Sequence, residues 1–242
     1  MSLLIGVGVG PGDPELLTLQ GLRALREADL VVVPVRDDRD EIGYAEAIVR
    51  AHLLPGGDDS NDTVRIVRAP FALTDRGGVS ERRTRAWEAA AAIILKAFDD
   101  GATTIAFATI GDPNIYSTFS YLAATVREAR HDVEIRTVPG ITAMQALAAA
   151  SGTVLSEGSE PLVLFPALGG ASAIDEVLQH RVLAGATIVA YKGGRHWSDM
   201  RTTPAAHGRP DSPVGGSQLC LQDPAPPPAR EGTGEIPSLS PV

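Results

Sequence analysis

Continuous apolar runs alternate with segments of helical periodicity through about the first 195 residues, and this alternation constrains the fold more than any other feature. Leu3–Val9 is the first run, and Pro14–Ala28 behind it sets Leu16, Leu17, Leu19, Leu22 and Leu25 at helical spacing. The same order then repeats: strand Asp29–Val33, helix Tyr44–Leu54, strand Thr63–Val67 and an Ala-rich helix Glu81–Phe98. Strand Thr103–Thr109, a helix near Ser117–Ala129, strand Val133–Val138 and helix Thr142–Ala150 follow, with further strands at Leu162–Phe165 and Thr187–Tyr191. Strands apolar along their whole length need cover on both faces, and the intervening helices can supply it. The pattern predicts an α/β chain with a largely parallel sheet.

Other features narrow the functional classes. No apolar run reaches the roughly 18 residues of a membrane span, and the start LLIGVGVG reads as a buried strand, with no basic region ahead of it to mark a signal peptide. The single cysteine, Cys220, excludes an internal disulfide framework and a multi-thiolate metal site, which makes a cytoplasmic location the expectation. A formal charge of −9 argues against a broad nucleic-acid surface, and a polyanionic substrate would need local arginines. Ser80–Arg85 and the pair Arg65/Arg68 are the basic clusters, and each also reads as a solvated face. The five histidines are scattered, no His/Cys grouping has metal-ligand spacing, and no G-x-S-x-G elbow occurs, so neither a metal nor a catalytic residue is assigned.

Three glycine-containing turns each follow a strand and precede a helix. The first is Gly6-Val7-Gly8-Val9-Gly10-Pro11-Gly12-Asp13. A dinucleotide fingerprint begun at Gly6 meets Pro11 where glycine is needed, and one begun at Gly8 meets Asp13. That reading fails, and a P-loop fails for want of a lysine. A turn that lets backbone N–H groups approach a ligand remains, beside a purely structural glycine turn. The second runs from Thr109 to Ser117, with Gly111 free to approach a ligand and Asp112 able to accept from ligand hydroxyls or to cap the next helix. The third is Val138-Pro139-Gly140-Ile141-Thr142-Ala143, where Thr142 is a candidate helix cap. Ligands of open α/β sheets sit at the C-terminal strand edge, where all three turns belong. Methyl transfer from a sulfonium suits a chain so poor in acid–base constellations, because the cofactor supplies the electrophile and the protein positions and desolvates.

At these residues the chain resembles the tetrapyrrole methylases. GVGVGPGDPELLTLQGLRAL, IGDPNIYSTFSYL and VPGITAMQALAAASG resemble the family's motifs in their expected order. The segments ERRTRAWEAAAAII and YKGGR bring the resemblance nearest to the branch that methylates precorrin-2 at C-20. It spans roughly residues 3–196. The family implies two α/β domains with a cofactor cleft between them, set here at residues 1–112 and 113–200, and usually a homodimer. It implies S-adenosyl-L-methionine as cofactor, leaving S-adenosyl-L-homocysteine, and precorrin-2 or its cobalt form as substrate, with no nucleic acid or membrane partner. Carried over by position, Pro11, Ile110, Gly111, Asp112, Ile115, Thr142 and Ala143 are the implied cofactor contacts, with Phe165 and Pro166 as an apolar wall for the adenine. Tyr116 and Ser117 are the implied substrate-positioning residues.

Residues 201–242 depart from this pattern. They hold nine of the 18 prolines, including Pro226-Pro227-Pro228, and almost no periodic apolar residues. Such a segment cannot readily bury a core. The expectation is an incomplete C-terminal part, read either as a divergent disordered tail or as a reading frame lost near residues 196–200. An inactive remnant, or a family member acting at another ring position or on diphthamide, stands as the alternative.

Overall fold

The computed structural model describes residues 2–35, 42–54, 65–71, 80–180, 185–193, 196–200, 202–206 and 214–215. The chain divides into two compact units, residues 1–142 and 143–241. In the first unit the elements run β1 (Leu3–Gly8), α1 (Leu19–Glu27), β2 (Leu30–Val35), α2 (Tyr44–Leu53), β3 (Arg65–Pro70), α3 (Glu81–Asp99), β4 (Thr104–Thr109), α4 (Phe119–Ala129) and β5 (Glu134–Val138). All five strands form one parallel sheet in the order β3-β2-β4-β1-β5. Because β5 pairs with β1, the boundary expected between residues 112 and 113 falls inside this unit; the division lies at 142/143.

The sheet is covered on both faces, as its continuous apolar strands require. On one face Leu4, Val32, Ile105 and Phe107 pack with Trp87, Ile94 and Phe98 of α3 and with Phe119, Leu122 and Val126 of α4. On the other, Val7, Val31, Val33, Ala106 and Ala108 meet Leu25 of α1 and Ala45, Ile48 and Val49 of α2. Alternate residues along each strand thus feed two separate cores. Phe107 is fully buried, and truncating such a side chain to alanine costs about 3–5 kcal/mol. Gly6 leaves room for the Phe119 ring, which would lie 2.5 Å from a Cβ at that position.

The predicted helix Pro14–Ala28 is broken in two. Pro14–Leu16 forms a single 3-10 turn, and α1 starts only at Leu19, because the Thr18 side chain accepts from the Gly21 N–H at 3.0 Å and caps it. Ser80 caps α3 in the same way through the Arg83 N–H.

The second unit holds α5 (Ala143–Ser151), β6 (Leu162–Pro166), α6 (Ala171–Leu178), β7 (Thr187–Tyr191), α7 (Trp197–Met200) and α8 (Thr203–Ala206). Strands β6 and β7 are parallel neighbours, with Pro166 opposite Tyr191. The helix α6 escaped the sequence reading, since its eight residues are too few for a clear period. Its Ile174 packs with Ala167 and Met200 in a small core. Most of the Pro-rich segment, including Cys220 and the residues proposed as frameshifted, lies outside the described residues. Among the described residues, no helix is long and apolar enough to cross a membrane.

Candidate functional site

The chain leaves β1 toward α1 on one face and β4 toward α4 on the other, so the C-terminal ends of these adjacent strands flank a topological switch point. The three glycine turns meet there. Register places Gly8 opposite Thr109 and Val7 opposite Val138, which brings the turns after β1, β4 and β5 side by side.

Their approach is close. A Cβ on Gly8 would stand 2.5 Å from the Gly111 carbonyl oxygen and 2.6 Å from the Gly140 nitrogen, so no other residue fits without moving backbone. The Gly111 N–H donates to the Gly10 carbonyl at 2.8 Å, with Gly111 at φ 69° and Gly10 at φ 87°, both in the left-handed region. Asp112 ties the second turn to the third: Oδ1 accepts from the Asn114 N–H at 2.8 Å and Oδ2 from the Gly140 N–H at 3.0 Å. The carboxylate is buried, and its two oxygens brace backbone. It does not cap α4, whose cap is Thr118.

The other implied residues distribute as follows. Pro11 is buried in the first turn, and Ile110 and Ile115 are half-buried in the second. Ser117 is engaged in the scaffold: its Oγ lies 3.0 Å from Thr109 Oγ1 and accepts from the Phe119 N–H at 3.1 Å, joining the end of β4 to the start of α4. Tyr116 sits at φ 50°, a backbone conformation that costs a non-glycine residue on the order of 1–3 kcal/mol and concentrates at functional sites. Thr142 is buried immediately before α5.

Ala143, Phe165 and Pro166 belong to the second unit. Ala143 opens α5, and the neighbouring Met144 N–H donates to the Tyr191 hydroxyl at 3.4 Å. Tyr191 closes β7 opposite Pro166, so Ala143 and Pro166 come to the same strand edge through it. Phe165 is half-buried and packs on the core of Ala167, Ile174 and Met200. Sequence reasoning placed Tyr191 at the end of a strand and in the YKGGR segment; its contact with α5 emerges from pairing across 47 residues.

Three further polar groups went unrecognised. Glu46 is fully buried, accepting from Arg50 Nε at 2.7 Å and Arg68 Nε at 2.8 Å, so one of the two basic clusters is in part an ion-pair clamp between α2 and β3. His52 on α2 has Nε2 2.8 Å from the Pro14 carbonyl oxygen. At the opposite strand edge, Asp29 Oδ2 accepts from the Thr103 N–H, the Thr103 hydroxyl and the Thr104 N–H. Those bonds, led by the Thr104 and Thr103 amides, hold its carboxyl below the usual range. Among the described residues no group of three or more His, Cys, Asp or Glu side chains is placed to hold a metal ion.

The profile of the tetrapyrrole (corrin/porphyrin) methylases matches residues 3–218. The chain is 33% identical over 215 residues to the precorrin-2 C(20)-methyltransferase of a Sinorhizobium species, covering 87% of this chain and 81% of the relative. It is 38% identical over 162 residues to a Methanocaldococcus jannaschii protein named "Probable cobalt-precorrin-2 C(20)-methyltransferase", a match that spans 66% of this chain and 62% of that one. Among solved structures, cobalt precorrin-4 methyltransferase shares the fold with a TM-score of 0.60 at 19% identity, over 91% of this chain and 82% of its own.

Proposed function

The chain belongs to the tetrapyrrole methylase family, and on that premise we propose that it transfers a methyl group from S-adenosyl-L-methionine to C-20 of precorrin-2, or of its cobalt form, in cobalamin biosynthesis. The observation that carries the reading is the convergence of three turns on the Asp112–Gly140 contact at the C-terminal edge of the sheet.

The residues there suit the cofactor. Residues 8–12, 109–117 and 138–143 contain no lysine or arginine, and Asp112 is their one carboxylate. Such a site is poor for a phosphate-bearing cofactor and compatible with a cationic sulfonium. When bound, S-adenosylmethionine supplies an electrophilic methyl group. The protein's part is then to hold and desolvate. Gly8, Gly111 and Gly140 keep the turn backbones close, the half-buried Ile110 offers apolar surface in the second turn as Pro11 packs within the first, and Thr142 and Ala143 end the third turn. Phe165 and Pro166 are proposed to contribute the adenine wall, and Tyr116 and Ser117 to position substrate. A homodimer acting in the cytoplasm completes the proposal, on the strength of the family resemblance.

The Pro-rich composition of residues 201–242 favours a second reading, in which the chain binds cofactor without turning substrate over. Calorimetric titration of the purified chain with S-adenosylhomocysteine separates these possibilities. A micromolar or tighter dissociation constant, about −8 kcal/mol or better, supports the site; C-20 methylation of precorrin-2 then establishes the enzyme. Binding without methylation favours the second reading, and no binding by the folded protein sinks both.

A further inference from the structure

We infer that His52 is a positioning residue for the turn after β1, and through that turn for the ligand of the site; this inference rests on the cofactor reading above. A carbonyl oxygen can only accept, so the 2.8 Å contact to Pro14 O places the proton on His52 Nε2. The same oxygen also accepts from the Leu17 N–H at 3.1 Å, closing the 3-10 turn Pro14–Leu16. That 3-10 turn lies directly beneath the glycine turn. A Cβ on Gly10 would be 3.0 Å from the Leu16 carbonyl oxygen, and the Gly10 carbonyl in turn receives the Gly111 N–H at 2.8 Å. A continuous series of contacts therefore runs from His52 through Pro14–Leu16 and Gly10 to Gly111, past Pro11.

The helix that carries His52 is itself anchored. Six residues earlier, on the order of 9 Å along the axis, Glu46 is fully buried and clamped to Arg68 of β3. α2 thus transmits the position of an edge strand to the turn. His52 is half-buried and is absent from both apolar cores, whose α2 members are Ala45, Ile48, Val49 and Leu53. Removing its ring takes the imidazole donor away from the turn and leaves those apolar side chains of α2 in place.

The test is titration of the full chain with S-adenosylhomocysteine for wild type, His52→Ala and His52→Gln, each with a thermal melt. Wild type binds; His52→Ala binds about 5- to 10-fold more weakly, and its Tm falls by about 2–4 °C for the one hydrogen bond lost, so both proteins are folded at the titration temperature. His52→Gln, whose side-chain N–H can reach the same carbonyl, recovers affinity to within about twofold. Equal affinity in wild type and His52→Ala overturns the inference. So does equal weakening in the alanine and glutamine variants, because the donor is then irrelevant. Failure of wild type itself to bind overturns the cofactor reading and the inference with it, and is recognised by being independent of residue 52.

Discussion

Asp112 Oδ2 accepts the Gly140 N–H at 3.0 Å, joining two turns that lie 28 residues apart in the chain. The buried carboxylate thereby holds the ends of β4 and β5 in a fixed relation, with β1 between them in the sheet.

Replacing Asp112 by asparagine keeps one acceptor oxygen but turns an NH2 group toward a backbone N–H. One bond is lost and two donors face each other. A destabilisation of about 1–3 kcal/mol is expected, together with weakened S-adenosylhomocysteine binding. Urea unfolding and calorimetry check both; an unchanged midpoint and affinity would refute the bracing role.

Gly8→Ala sets a methyl 2.5 Å from the Gly111 carbonyl and 2.6 Å from the Gly140 nitrogen, and backbone cannot yield as a side chain does. Binding should be lost or reduced at least 10-fold (about 1.4 kcal/mol). Gly185→Ala, where nothing lies within 4 Å, is the matched control and should behave as wild type. Similar affinities in the two variants would show that the turns are not closely apposed.

Glu46→Gln removes the charge that two arginines share. Their side chains are about one-third exposed, so water compensates in part, and the expected cost is about 2 kcal/mol, below the 3–5 of a wholly buried pair. Chemical denaturation reads this directly, and a cost under about 0.5 kcal/mol, the level of an ordinary surface change, would mean that the clamp is idle.

Asp29 gives a pH-dependent contribution. Its folded pKa lies below the ordinary value of 3.8, so its bonds to Thr103 and Thr104 add stability that is fully present above that value. The contribution is lost as pH falls through the lower, folded-state value. Wild type should therefore melt above Asp29→Asn at neutral pH, and the gap should close only below about pH 3.8. A gap that closes instead between pH 6 and 8 would assign it to some other group.

The family and the parallel α/β character were legible in the residues. Continuous apolar strands such as Leu30–Val35 report two-sided burial wherever they sit, and the three turn motifs are contiguous in sequence. Local capping decided what periodicity missed. The leucines between Leu16 and Leu25 keep a helical beat across a real break, because period records which side chains face inward and not whether Thr18 stops the helix. Pairing over distance was beyond the sequence altogether. That β5 completes the sheet of β1, that Arg68 answers Glu46 and that His52 reaches Pro14 each depend on residues 22 to 131 positions apart meeting in space. Sequence thus determined the strands, most of the helices and the three glycine turns, since those choices follow from local propensity and hydrophobic pattern. Only the tertiary structure decided which polar groups hold the turns together, because a hydrogen bond forms where two chains are brought within about 3 Å, and no local pattern encodes that distance.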